Sequence, residues 1–149
     1  LAVARPRFVV VEPDRADCLF RSAEAGRPTA VQGDLDTIMA GLACGEVSLL
    51  AWKILEAGTD AFMTIPDEAA ADCMRLLADG VDGDPPVVAG ESAVAGLAGA
   101  LGAAQAPEQR AALRLGPDSV VLVFGTEGDT DPDLYRAIVG RPAREVRVD

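Results

Sequence analysis

Short apolar runs alternate with segments of helical spacing along this chain, and that alternation restricts the fold more than any other feature. Runs rich in Val, Ile and Phe occur at residues 7–13, 61–65 and 119–124, with a shorter candidate near residues 29–31. β-branched and aromatic residues favour strands, and a continuous apolar run is typical of a strand buried on both faces. The sequence therefore predicts an α/β protein: three layers, with a partly parallel sheet and helices on both of its faces.

The segments between the runs carry helix signals. Gly26 is placed to end the first helix as a left-handed C-cap. Asp131 is placed to cap the last helix, with Pro132 at its first position. Apolar residues at helical spacing predict helices over residues 14–25, 49–57, 66–78, 91–104, 107–115 and 132–139.

Composition excludes several classes of partner. The chain has 149 residues, enough for one ordinary domain, and half of them are hydrophobic. A net charge of −11 argues against nucleic acid and anionic membranes as partners, and no run reaches the roughly 20 apolar residues of a membrane span. We expect a cytoplasmic protein. Because the chain starts without Met shortly before its first apolar run, we also expect it to be part of a larger protein.

Cysteine, histidine and lysine are scarce. The chain has three cysteines and no histidine, so a familiar zinc site is not expected. Cys18 and Cys44 could meet as a disulfide pair, or all three thiols could be buried and inert. The single lysine, Lys53, lies in the middle of a predicted helix, where a solvated side chain explains it.

The segment 125–131, GTEGDTD, follows the last apolar run and is the first place to look for chemistry. Ligands of open α/β sheets collect where strands end, and this loop offers glycines, hydroxyls and acids. A turn followed by a capped helix, without a ligand, is the alternative. For Asp129 and Asp131, capping and ion pairing are favoured over metal binding.

Four motifs in this order resemble the pyridoxal-phosphate enzymes of the tryptophan synthase β-like class, also called fold type II. They are VVVEP at 9–13, AGLACGE at 40–46, GESAVAGLAGAL at 90–101 and VLVFGTEGDTD at 121–131. Within that class, the strings at 16–22, 33–46 and 126–136 are similar to those of the diaminopropionate ammonia-lyase family. The resemblance covers nearly the whole chain. It identifies residues 1–149 as the C-terminal portion of the large cofactor domain.

The resemblance implies α,β-elimination of 2,3-diaminopropionate to pyruvate and ammonia, with pyridoxal 5'-phosphate as cofactor. It also implies that the Schiff-base lysine, the phosphate loop and the principal acids lie upstream, so this chain supplies no catalytic residue and is inactive by itself. We expect a homodimer, and association with the missing N-terminal half or self-association, because unpaired strand edges would otherwise be exposed. A threonine or serine dehydratase-like enzyme and a non-catalytic α/β binding domain are the alternatives.

The resemblance also implies roles for particular residues. Thr126 is expected to hydrogen-bond the pyridine nitrogen; related enzymes often carry that hydroxyl one place earlier, where this chain has Gly125. A turn hydroxyl bonded to its own backbone is the alternative for Thr126.

Two further segments are expected to border the site. Glu91 and Ser92 are expected beside the cofactor, or else as helix caps. Ala40, Gly41 and Leu42 are expected to form a wall over the substrate, or else part of a packed helix.

Overall fold

The structure is a computed structural model and describes residues 5–146. Within that range the secondary structure consists, in chain order, of β1 Val9–Pro13, α1 Cys18–Ala25, α2 Leu49–Gly58, β2 Ala61–Ile65, α3 Asp67–Asp79, α4 Ala95–Gln105, α5 Pro107–Leu113 and α6 Pro132–Val139, with 3-10 turns at Ala40–Leu42 and Ala143–Glu145. None of the helices in the described range is long and apolar enough to cross a membrane.

The two strands form a parallel pair. Val9 lies opposite Ala61 and Pro13 opposite Ile65, so the pairing covers both strands without a shift. A parallel pair needs a crossover connection, and α1 and α2 lie in that connection. β1 ends at Pro13, which has no N–H to donate to the ladder.

Helices cover both faces of this pair. Val11 and Met63 point towards α4, where a Cβ added at Gly99 would lie 2.7 Å from Val11 Cγ2. The next residue, Glu12, points the other way, towards α1. Because neighbouring side chains on a strand alternate between faces, α4 and α1 lie on opposite sides. The predicted three-layer α/β arrangement with a parallel sheet is confirmed.

Glu12 ties α1 to the sheet. Its carboxylate accepts hydrogen bonds from the backbone N–H of Leu19 at 3.0 Å and of Phe20 at 2.7 Å. These are among the N–H groups that the first turn of a helix leaves without partners. A side chain from the strand therefore takes the place of a local N-cap, since the side chain of Asp17 makes no capping bond.

A second packing layer joins α3, α4 and α6. Small residues on α3 and α4 let these helices approach closely, while Tyr135 of α6 packs into the same core and is almost fully buried. The main members of this core are Met39, Ile65, Ala70, Cys73, Met74, Ala78, Ala95, Ala98, Tyr135 and Val146.

Most predicted elements are present. β1, β2, α2, α3 and α5 lie where the sequence predicts them, and α1 begins at Cys18, four residues later than predicted. Gly26 ends α1 with a φ of 63°, as expected of a left-handed cap. Asp131 caps α6 and Pro132 is its first residue, as predicted. The predicted helix over 91–104 begins only at Ala95.

Two predicted strands are absent from the described part of the chain. Residues 29–31 form a loop, in which Val31 N–H donates to the Gly45 carbonyl at 2.8 Å. Residues 119–124 form neither a strand nor a buried segment, since Val120 is 97% and Phe124 78% exposed. An apolar run forms a strand only beside another strand. This one lies against α4 instead, where a Cβ at Gly96 would contact Val123 at 3.6 Å.

Candidate functional site

Three segments that are far apart in the sequence meet at one end of α4. They are the Ala40–Leu42 turn, the turn at residues 90–92 and the loop at residues 125–131. Each of them contains candidate site residues that the sequence predicts. The structure brings these segments into contact through hydrogen bonds and close backbone approaches.

Gly41 and Ser92 make the first contact. The Gly41 N–H donates to Ser92 Oγ at 2.9 Å, and a Cβ added at Gly41 would lie 3.0 Å from the same oxygen. A side chain at position 41 would therefore push the two segments apart. Ser92 does not cap α4, whose N-cap Val94 has no side-chain capping bond, so the capping alternative is wrong for Ser92.

Glu127 makes the second contact, and sequence reasoning missed it. Its Oε2 accepts from the Ser92 N–H at 3.0 Å, and its Oε1 accepts from the Thr130 hydroxyl at 2.6 Å. Its backbone carbonyl accepts from the Gly90 N–H at 3.1 Å. The available signal was an acid next to glycine, in a loop whose neighbouring N–H groups need acceptors.

Gly90 is required by the same approach. A Cβ at this position would overlap the carbonyl oxygen of Gly128 and would lie 2.8 Å from Glu127 Cγ. Only a residue without a side chain lets these backbones pass so closely. The glycine of the GES motif thus serves the contact with the 125–131 loop.

Glu91 is a buried acid in this cluster, with 3% of its surface exposed. Burial raises its pKa above the ordinary value, and the nearby negative charges of Glu127 and Asp131 raise it further. Its side chain is not a cap of α4. Glu91 is therefore a carboxyl group whose surroundings favour the neutral, protonated form.

Thr126 and Gly125 are exposed at the start of the loop. The Thr126 hydroxyl makes no hydrogen bond to another residue within 5–146, so the predicted alternative, a turn hydroxyl bonded to its own backbone, does not occur. A Cβ at Gly125 would meet nothing within 4 Å. Thr126 therefore offers an available hydroxyl, and Gly125 leaves space next to it.

The wall segment is anchored from α3. Thr37 donates its hydroxyl to Asp67 Oδ1, and the Ile38 N–H donates to Asp67 Oδ2 at 3.1 Å. Asp67 is the first residue of α3, so the helix fixes the chain just before the turn. Ala40 and Gly41 are exposed in a 3-10 turn, so the packed-helix alternative for this segment is wrong.

The remaining sequence candidates lie outside this cluster. Cys18 and Cys44 are free thiols, so the suggested disulfide does not form in the structure. Burial, followed by the charge of Glu12, raises the pKa of Cys18 to about 11. Lys53 is exposed on α2, in agreement with a solvated role. Asp131 is a helix cap, and no group of acids and cysteines within residues 5–146 could hold a metal ion.

The layered α/β fold, with these glycine-rich turns meeting at one end of α4, is that of part of a fold type II enzyme. The family described as pyridoxal-phosphate dependent enzyme matches residues 2–126, and the chain belongs to this family.

Two curated relatives are similar to most of this chain. The diaminopropionate ammonia-lyase of Escherichia coli strain K12 is 46% identical over 135 residues, covering 88% of this chain and 34% of the relative. That of Salmonella typhimurium is 41% identical over 146 residues, covering 93% and 36%. The chain therefore spans about a third of the length of these relatives.

A solved structure gives the same picture. The crystal structure of the Escherichia coli diaminopropionate ammonia-lyase, in complex with an aminoacrylate–pyridoxal-phosphate reaction intermediate, matches with a TM-score of 0.78 and 42% identity. The match covers 88% of this chain and 33% of that one.

The residues of this cluster fit one part of pyridoxal phosphate. The Thr126 hydroxyl has no partner among the described residues and could bond a ring nitrogen, and Gly125 leaves space next to it. The three segments of the cluster, residues 40–42, 90–92 and 125–131, contain no lysine and no arginine that could hold the phosphate. The fit is thus to the ring and not to the covalent anchor or the phosphate.

Proposed function

We propose that this chain is the C-terminal portion of the large cofactor domain of a pyridoxal-phosphate enzyme that eliminates ammonia from 2,3-diaminopropionate. The products are pyruvate and ammonia. The observation that carries the proposal is the meeting of Gly41, Ser92 and Glu127, because it joins the segments that the resemblance places around the cofactor. The 46% identity to a diaminopropionate ammonia-lyase supports the choice of substrate.

Pyridoxal phosphate, when bound, accepts the electron pair that remains when the α-proton of the substrate leaves. Thr126 would hold the ring by a hydrogen bond between its hydroxyl and the pyridine nitrogen. A hydroxyl is a neutral partner, so it orients the ring without adding charge at that nitrogen. Gly125 leaves the ring edge room to approach the loop.

Glu91 would hold a proton more readily in this site than an ordinary glutamate does. Its burial, and then the acids Glu127 and Asp131, raise its pKa. A neutral acid can donate a hydrogen bond, which a carboxylate cannot. Ala40, Gly41 and Leu42 would form the wall over the substrate, and the small exposed residues Ala40 and Gly41 leave space for it.

The lysine that carries the cofactor, the phosphate loop and the principal acids are assigned to the rest of the enzyme, so this chain alone is expected to be inactive. The exposed apolar residues of the 119–124 segment and the two-stranded sheet support association with that part or with a second copy. We further propose a cytoplasmic homodimer that binds neither nucleic acid nor membranes.

Turnover by the full-length protein tests this function. With pyridoxal phosphate, we expect pyruvate from 2,3-diaminopropionate, with both amino groups released as ammonia, and slower turnover of serine and threonine. Threonine would give 2-oxobutyrate and not pyruvate, so the product distinguishes a threonine dehydratase-like enzyme from one that acts on 2,3-diaminopropionate. Preference for threonine or serine would overturn the substrate assignment. Absence of any cofactor absorbance would instead favour the α/β binding domain.

A further inference from the structure

Glu127 holds two segments together with its carboxylate alone. Oε2 accepts from the Ser92 N–H, 35 positions away, at 3.0 Å, and Oε1 accepts from the Thr130 hydroxyl, three positions away, at 2.6 Å. The side chain therefore links the 125–131 loop to the turn that precedes α4.

Ser92 connects Glu127 to the Ala40–Leu42 wall segment. Its N–H is bound by Glu127 while its Oγ accepts from the Gly41 N–H, 51 positions away, at 2.9 Å. Fixing the Ser92 backbone also fixes the oxygen that Gly41 needs. A single carboxylate thus acts on all three segments, directly on two and through Ser92 on the third.

We propose that Glu127 is a positioning residue for the cofactor site, one that places Thr126 and the Ala40–Leu42 wall relative to each other without touching the substrate. The assignment of a cofactor rests on the proposed function, whereas the positioning role rests on the contacts alone. Both carboxylate oxygens are already engaged as acceptors, which suits a structural link better than the transfer of a proton.

Glutamine at position 127 separates positioning from acid chemistry. Its amide oxygen can accept from the Ser92 N–H, and its amide nitrogen can donate to the Thr130 hydroxyl, which then accepts. Glu127→Gln therefore keeps the link but cannot carry a proton. Glu127→Ala removes both hydrogen bonds of the link. Glu56→Ala, at an exposed position on α2, is the matched control for losing a glutamate.

The experiment measures amide hydrogen exchange at residues 40–42 and 90–93 in the full-length protein, both without cofactor and with pyridoxal phosphate bound. We expect Glu127→Ala to speed exchange at both segments by about tenfold, the equivalent of about 1.4 kcal/mol. It should also shift the absorption spectrum of bound pyridoxal phosphate and lower kcat more than it changes KM. Glu127→Gln should restore all three properties, and Glu56→Ala should match the wild type.

Two results would overturn the proposal. One is that Glu127→Ala behaves like Glu56→Ala. The other is that Glu127→Gln is as impaired as Glu127→Ala, because the negative charge of Glu127 and not its hydrogen-bonded link would then be what matters. If Glu127→Ala does not fold, Ser92→Ala decides, since it should free Gly41 and leave the amide at position 92 protected. Unchanged exchange at Gly41 would then count against the link. Exchange is also measured without cofactor. If the wild type fails to bind pyridoxal phosphate, the proposed function is refuted, but the exchange measurement still tests the positioning role of Glu127.

Discussion

The Gly41 amide and the Ser92 hydroxyl lie 2.9 Å apart, although 51 positions separate them in the chain. This bond places the exposed Ala40–Leu42 turn beside the start of α4, and the contact of Ser92 with Glu127 extends it to the 125–131 loop. The candidate site is therefore a meeting of turns, and its geometry depends on glycines that allow close approach and on a few long-range hydrogen bonds.

Packing of α4 on the sheet can be tested at Gly99. An added Cβ would lie 2.7 Å from Val11 Cγ2 and 3.2 Å from Met63 Sδ, so the strand residues would have to move. Overpacking outweighs the better helix propensity of alanine, and we expect Gly99→Ala to lose about 1–2 kcal/mol of unfolding free energy. Gly102→Ala on the same helix meets nothing within 4 Å and should gain about 0.5–1 kcal/mol. Urea unfolding measures both, and equal effects would contradict the close contact between α4 and β1.

The start of α6 can be tested at its cap. Asp131 Oδ1 accepts from the Leu134 N–H at 2.9 Å. Losing this bond in Asp131→Ala should cost about 1 kcal/mol of stability in thermal or urea unfolding. Asp133→Ala removes an acid from the same first turn but no capping bond, so it should cost only about 0.3–0.5 kcal/mol. Equal losses would show that charge near the helix terminus matters more than the cap.

Glu91 gives stability a dependence on pH. Its pKa is raised above 4.5 in the folded state, chiefly by burial, so folding favours its protonated form. Its contribution is fully present below the ordinary pKa and is lost as pH rises through the raised value. Glu91→Gln stays neutral, so its stability relative to the wild type should increase between about pH 4 and about pH 7. Urea unfolding at both pH values measures the difference, and Glu108→Gln, at an exposed position, is the control. A constant difference would contradict the raised pKa.

The cysteines should differ in reactivity. Cys44 is exposed, whereas Cys18 and Cys73 are buried, and the pKa of Cys18 is raised to about 11. The thiolate is the reactive form, so an alkylating reagent at about pH 8 should modify Cys44 first. Mass spectrometry of the digested protein locates the label, and the unfolded protein should be modified at all three positions. Rapid labelling of Cys18 in the folded protein would contradict its burial.

Local sequence signals predicted the elements that depend on neighbouring residues. Asp131 and Pro132 begin α6 and Gly26 ends α1, because caps are interactions within a few residues of the helix end. The strand at Ala61–Ile65 is similarly evident from its composition. For the candidate site, the motifs named three segments that the structure brings into contact, but they could not indicate which side chain joins them.

The apolar run at residues 119–124 shows where such signals fail. Its composition is that of a buried strand, yet its residues are exposed and lie against α4 in the described range. Composition states a preference for pairing with a strand, while pairing itself needs a neighbour at the right distance. Glu127 was missed for a related reason, because an acid in a loop gives no sign of its distant donors.

The sequence by itself determined the layered α/β pattern and several helix ends, because these follow from residue type and short-range spacing, and its resemblance to a known family named the three segments of the candidate site. Only the tertiary structure decided that Glu127 joins them, that Ser92 accepts from Gly41 and that Glu91 is buried among acids. Those facts depend on contacts between residues distant in the chain, and on burial, which a linear pattern does not contain.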